Sequence, residues 1–298
     1  MDKIAIIGAG KWGLALKNTI NENYSCVITS YSKKNIKDFV SIEEALKAEF
    51  LIFVLSTQGI LPWLKEHFKN KNQKILLASK GIDISTNSFL DEIFLKFVDK
   101  ENFCVLSGPS FASEVMQKLP CGLVISGENL ELCKKFASFF PSYIKTYIDS
   151  DIKGAEICGA YKNVLAIASG ISDGLNLGNN ARASLISRGL IEMHRFGKFF
   201  GAKEETFLGL SGAGDLFLTA TSTLSRNYRC GLMLSKGLSK DEIIKELKEV
   251  IEGIPTAYGL QELAKKNDIY TPIVNEVVAV LNGKNVKDAL STLLKDKK

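Results

Sequence analysis

The segment KIAIIGAGKWGLAL, residues 3–16, constrains this chain more than any other. Ile4, Ala5, Ile6 and Ile7 form the uninterrupted apolar run of a parallel strand buried on both faces. Gly8, Gly10 and Gly13 follow in G-x-G-x-x-G spacing, and Leu14, Ala15 and Leu16 begin a helix-like stretch. In a strand–turn–helix unit each glycine has its own task. The first allows the tight turn, the second lets the backbone approach a diphosphate, and the third lets helix and strand pack closely. The diphosphate then meets the N–H groups at the positive end of the helix. A glycine-rich turn without ligand is the plainer reading, but strand, glycines and helix in this order favour the cradle.

The first half continues the alternation. Strands are predicted at 25–30, 50–55, 75–78, 103–106 and 123–126, and Ser41 with Glu44 reads as a capping box opening a short helix. Beyond about residue 150 helical periodicity takes over (152–171, 181–200, 241–250 and 274–281), with no convincing strand. The expected fold is α/β, a Rossmann-type doubly wound, mostly parallel sheet over residues 1–149, followed by an all-helical domain over 150–298. Ligands of such a chain gather at the carboxyl ends of the strands and in the interdomain cleft.

Composition narrows the classes. A 298-residue chain with 46% hydrophobic residues builds its core without disulfide or metal staples. The net charge of +5 comes from scattered lysines and gives no nucleic-acid footprint, while suiting a small anionic substrate. Cys26, Cys104, Cys121, Cys133, Cys158 and Cys230 show no C-x-x-C pairing and lie mostly in apolar stretches, as reduced cysteines of a cytoplasmic protein do. His67 and His194 alone argue against a histidine-rich metal site. No apolar run reaches the ~20 residues of a membrane span, and the IAII run is too short for a signal peptide. A homodimer is expected on the base rate for such proteins.

Several polar residues stand out. NAD-selective sites place an acid after the second strand to bind the ribose 2′-hydroxyl. Here Thr29-Ser30-Tyr31-Ser32-Lys33-Lys34 offers none, so NADP(H) is expected at least as well as NAD(H), with Lys33 or Lys34 near the 2′-phosphate. Solvating a loop is the plainer role for both lysines. Lys80 ends a strand where cofactor and substrate meet, and Gly108-Pro109-Ser110-Phe111-Ala112 turns sharply at the same edge. On the helix at 152–171, Gly154, Cys158, Lys162, Ala166 and Gly170 share an i, i+4 ridge. Lys153 lies about 180° away by helical geometry, so a solvent-facing Lys153 turns Lys162 inward, where a lysine exchanges protons readily. Asp215 is placed to keep a nearby lysine charged, and Arg226, between Ser225 and Asn227, offers a fork for phosphate oxygens.

GAGKWG, SKGI (79–82), LSGPSFASEV (106–115), GAYKNVLAIASGISDGL (159–175), GLSGAGDLFLTATSTLSRN (209–227) and VIEGIPTA (250–257) together resemble bacterial NAD(P)-dependent glycerol-3-phosphate dehydrogenase. The resemblance spans nearly the whole chain in order. It implies reversible reduction of dihydroxyacetone phosphate to sn-glycerol 3-phosphate, feeding phospholipid synthesis. It also implies cofactor contacts at Gly8, Gly10, Lys11, Trp12, Gly13, Lys33, Lys80, Ala112, Arg226, Val250 and Glu252. Substrate contacts follow at Lys80, Gly108, Ser110, Lys162, Asp215, Ser225, Arg226 and Asn227, with Lys162 as general acid/base. Lys11 stands where the family usually has a small residue, and the stretch after the second strand is short and lacks an arginine often found there. A related hydroxyacid dehydrogenase and a non-enzymatic nucleotide sensor are the competing readings.

Overall fold

The computed structural model describes residues 3–295, which divide into two compact units: residues 3–80 with Leu90–Glu156, and Gly81–Phe89 with residues 157–295. In the first unit β1 (Ile4–Ile7), α1 (Lys11–Ile20), β2 (Cys26–Thr29), α2 (Ile42–Ala45), β3 (Phe50–Phe53), α3 (Thr57–His67) and β4 (Lys74–Leu77) alternate as predicted. The chain then leaves for a hairpin of two-residue strands, β5 (Ile82–Asp83) and β6 (Ser88–Phe89), which belongs to the second unit. It returns through α4 (Leu90–Phe94), β7 (Phe103–Ser107), α5 (Ala112–Met116), β8 (Cys121–Gly127), α6 (Leu130–Ala137) and β9 (Ile144–Asp149).

Seven strands form one sheet in the order β2-β1-β3-β4-β7-β8-β9. The first five are parallel, β8 pairs antiparallel to β7, and β9 runs parallel to β8. The register of β1 explains its sequence. Ile4 and Ile6 pack into one core layer with Leu16 and Ile52, while Ala5 and Ile7 pack into the other with Leu51, Phe53 and Trp63. A strand covered on both faces has no polar side, hence the continuous apolar run.

In the second unit α7 (Ile152–Gly174) runs through the core and is buried on every side from Gly154 to Gly170. A helix apolar all round can be stable only in such a place. Around it lie α8 (Gly178–Phe199), α9 (Glu204–Leu208), a π-helical turn at Leu210–Gly214, and α10 (Asp215–Ala220). They are followed by α11 (Arg226–Leu234), α12 (Lys240–Leu247), α13 (Gly253–Lys266), α14 (Pro272–Leu281) and α15 (Val286–Lys295). Pro272 opens α14 in the favoured first turn. Its cap comes from a distant residue: the buried Glu192 carboxylate accepts the N–H groups of Ile273 (2.8 Å) and Val274 (3.1 Å) and the Tyr161 hydroxyl (2.9 Å). Burial pushes Glu192 up to about 7, against the pull of those three donors.

Three expectations need correction. Ser41 accepts the Glu44 N–H at 3.2 Å, but the Glu44 carboxylate turns to Lys47 at 2.6 Å, so the reciprocal half of that capping box is taken by an ion pair. The full box forms instead at Ser239 and Glu242, heading α12. Strand β9 was not foreseen, because an exposed edge strand reading IKTYID has no apolar run. Lys153 is not a solvent-face residue; its ammonium pairs with Asp91 at 2.7 Å and Glu92 at 3.0 Å. All six cysteines are reduced, and burial pushes Cys26 and Cys230 up to about 12, far from thiolate chemistry.

Candidate active site

Within the first unit the carboxyl ends of β1, β2 and β3 converge on the glycine turn. Gly8 donates its N–H to Thr29 O at 2.8 Å and has a φ of +123°, and a Cβ there would stand 2.5 Å from Val54 O. A Cβ on Gly13 would stand 1.9 Å from Gly8 O, which is the close helix–strand contact the motif requires. On Gly10 a Cβ would meet nothing within 4 Å. Gly10 is exposed at the N-cap of α1 and, as glycine, brings no capping side chain, so the helix start is open to an anion. This arrangement fits a dinucleotide's diphosphate. Lys11 is exposed at the first helical position, whereas Trp12 is half-buried and packs against the core beside α1. Lys34 folds back over the turn, donating to Ala9 O at 2.7 Å, while Lys33 stays exposed.

A second cluster forms at the ends of β4 and β7. Ser79 donates to Leu55 O at 2.6 Å, Thr57 donates to Lys80 O at 3.1 Å, and the Lys80 ammonium reaches Gly108 O at 3.4 Å. Gly108 turns with a φ of +105°, and a Cβ there would stand 2.8 Å from Gly122 O, so only glycine fits. The Ser110 hydroxyl donates back to Gly108 O at 3.2 Å, and Ala112 begins α5. Lys80, Gly108 and Ser110 are thus one group.

The second unit holds the acid–base candidate. Lys162 is buried, with its ammonium 2.5 Å from Asp215 Oδ1 and 3.1 Å from Thr219 Oγ1. Asp215 opens α10 directly after the π-turn, whose i→i+5 bond runs from Gly214 N to Gly209 O at 3.1 Å. Such turns are frequent at functional sites. Thr219 was missed by the sequence reading, although its place four residues after Asp215 puts both on one helix face.

Ser225 caps α11, accepting the Tyr228 N–H at 3.2 Å. Arg226 is exposed at the first residue of that helix. Asn227 is buried and double-bound: its amide donates to Asn163 Oδ1 at 2.9 Å and accepts the Gly253 N–H at 2.9 Å. That second bond holds the start of α13 just after Glu252, which is half-buried, while Val250 is exposed. Asn163, next to Lys162, is the other residue the sequence reading passed over.

Two family models match this chain. One described as NAD-dependent glycerol-3-phosphate dehydrogenase N-terminus matches residues 29–133, and its C-terminal counterpart matches 151–291. A relative from Campylobacter jejuni subsp. jejuni serotype O:6, named glycerol-3-phosphate dehydrogenase [NAD(P)+], is 71% identical over 98% of this chain and 99% of its own. The chain belongs to the NAD-dependent glycerol-3-phosphate dehydrogenase family. Another family relative, from Campylobacter lari, is 62% identical over 99% of this chain and 98% of its own. The crystal structure of the Coxiella burnetii glycerol-3-phosphate dehydrogenase superposes with a TM-score of 0.90 at 31% identity, covering 99% of both chains. D-mandelate dehydrogenase shares the fold alone, at a TM-score of 0.64 and 13% identity over 97% of this chain and 99% of that one. Among the described residues no helix is long and apolar enough to cross a membrane.

Proposed function

We propose that this chain reversibly reduces dihydroxyacetone phosphate to sn-glycerol 3-phosphate with NAD(P)H, the first unit binding the cofactor and the second holding the reacting substrate. The buried Lys162–Asp215 pair carries this reading. Taking two charges out of water costs several kcal/mol each before their attraction is counted, on the order given for buried ions, so such a pair is a poor stabiliser and a reasonable catalytic device.

When bound, the nicotinamide supplies the hydride that reaches the ketone carbon. Lys162 meets the negative charge that grows on the ketone oxygen and donates its proton there; in the reverse direction it accepts one. Asp215 and Thr219 hold the ammonium in place between turnovers. Arg226 and the remaining amide hydrogen of Asn227 take the phosphate, with the Ser225 hydroxyl beside them, and the binding energy of that remote group orients the ketone. Lys80, Gly108 and Ser110 supply further substrate contacts, with Ala112 on the cofactor side. Gly8, Gly10, Lys11, Trp12 and Gly13 hold the diphosphate, Lys33 faces the ribose, and Val250 and Glu252 are further cofactor-binding residues. The protein acts in the cytoplasm as a homodimer and feeds phospholipid synthesis.

The test is to follow NADPH and NADH absorbance with dihydroxyacetone phosphate and, separately, with a 2-keto acid. Oxidation with the phosphate ester alone supports the reading. Oxidation with the keto acid alone points to a hydroxyacid dehydrogenase, and none with either substrate points to a nucleotide sensor.

A further inference from the structure

Helices α7 and α11 lie side by side and run in the same direction. Asn163 meets Asn227 through a 2.9 Å hydrogen bond. A Cβ on Gly231 would stand 2.1 Å from Ile167 O, one on Gly170 would stand 2.1 Å from Tyr228 O, and one on Gly174 would stand 1.9 Å from Ser235 Oγ. Positions 163, 167 and 174 therefore advance with 227, 231 and 235, and the two backbones touch along the way. Polar contacts fix that register from the far end. The Tyr228 hydroxyl donates to Asp173 Oδ2 at 2.5 Å, and Arg182 Nη1 donates to the same oxygen at 2.8 Å. Arg182 is itself steadied by Asn179 Oδ1 at 2.7 Å.

Lys162 stands one residue ahead of Asn163, and Arg226 one residue ahead of Asn227. The two groups assigned to opposite ends of the substrate thus sit at one level of the helix pair, midway along α7 and at the first residue of α11. A slip of α11 by one residue would move Arg226 about 1.5 Å along the axis and turn it about 100°. We propose that Asp173 and Tyr228 are positioning residues: by locking α11 against α7 they set the span between Lys162 and Arg226. They thereby select substrates whose ketone and phosphate are separated by that span. This rests on the roles proposed above for Lys162 and Arg226.

The experiment measures kcat/KM for dihydroxyacetone phosphate and for dihydroxyacetone, and takes their ratio as the advantage conferred by the phosphate. A fall in the fraction of folded enzyme lowers both values and cancels. Tyr228→Phe and Asp173→Ala should lower the ratio about 5-fold, through kcat for the phosphate ester, with dihydroxyacetone turnover nearly unchanged; a misplacement of 1 Å costs up to about 10²-fold. Asp173→Asn, which keeps an acceptor for the Tyr228 hydroxyl, should be milder. Gly231→Ala should approach the 10²-fold loss where it folds, and the tyrosine and aspartate variants carry the test where it does not. If Arg226→Ala collapses the ratio while Tyr228→Phe and Asp173→Ala leave it intact, the positioning role is refuted. If Arg226→Ala leaves the ratio intact, the phosphate-anchor reading fails first and the positioning role falls with it.

Discussion

Replacing Gly10 by alanine separates cofactor binding from folding. Gly10 has φ −80° and ψ −178°, extended backbone that any residue adopts, and the added methyl meets no protein atom within 4 Å. Alanine is a poorer N-cap than glycine by about 0.5–1 kcal/mol, whereas fewer unfolded conformations return about 0.4–1 kcal/mol. The two nearly cancel, so the melting temperature should move by no more than about 2 °C. The methyl nevertheless projects from the helix start proposed above to hold the diphosphate. Loss of one charge-assisted hydrogen bond there, about 1.5–3 kcal/mol, weakens NADPH binding roughly 10- to 150-fold. Gly13→Ala is the contrast. Its Cβ would stand 1.9 Å from Gly8 O, against about 3.3 Å for an ordinary carbon–oxygen contact, so α1 must move by more than about 1 Å. Overpacking of this kind costs about 1–3 kcal/mol, and stability and binding should fall together. Thermal melts and NADPH fluorescence titrations of both variants decide the matter. Wild-type NADPH affinity in Gly10→Ala, or equal destabilisation of the two variants, would refute the reasoning.

Lys162→Ala should fold and bind NADPH yet lose kcat by about 10²-fold or more; near-normal turnover would make the lysine structural. Asp215→Asn strands a buried ammonium and should cost about 3–5 kcal/mol in chemical denaturation, most of it recovered in the inactive double variant Lys162→Met, Asp215→Leu; no recovery would mean the cost lies elsewhere. Lys34→Ala should raise KM for NADPH more than for NADH, and an equal rise for both would tie the lysine to the turn through Ala9 rather than to a 2′-phosphate. Glu192 takes up a proton on folding, because its native value of about 7 lies above the ordinary 4.5. Stability should therefore fall as pH rises from about 4.5 through 7, by up to about 3 kcal/mol, and Glu192→Gln should flatten that slope in pH-dependent melts; a flat wild-type profile over this window would rule the mechanism out.

The elements legible in the sequence were those whose pattern is local. Strands β1 and β3 are uninterrupted apolar runs because both faces are covered, and α7 is long, largely apolar and free of proline. Strand β9 alternates Lys145, Tyr147 and Asp149 with Ile144, Thr146 and Ile148 at an exposed edge, and β5 and β6 are two residues each, too short for any periodicity. Ser41 and Ser239 carry the same capping signature, and each glutamate has a lysine three residues on (Lys47 and Lys245); Glu44 turns to its lysine whereas Glu242 completes the box, a difference the sequence does not announce. Lys162 was found on a premise about Lys153 that the structure overturns, yet it faces inward because all of α7 around it is buried. Asn163 and Asn227 lie 64 residues apart, and no short-range pattern announces their hydrogen bond.

The excursion of residues 81–89 has a consequence for how the chain is made. Ile82 and Phe89 belong to the apolar core of the second unit, where Ile82 presses on Gly259 and Phe89 on the rings of Phe196 and Phe200. A ribosome releases these two side chains well before the helices that bury them, so they must wait, solvated or sheltered, while the remainder of the sheet is synthesised. A fragment starting at Ile157 would lack two of its own core residues and should be aggregation-prone when expressed alone. Cutting this protein into independently folding halves therefore requires moving the hairpin with the second half, which the linear order of the gene does not allow.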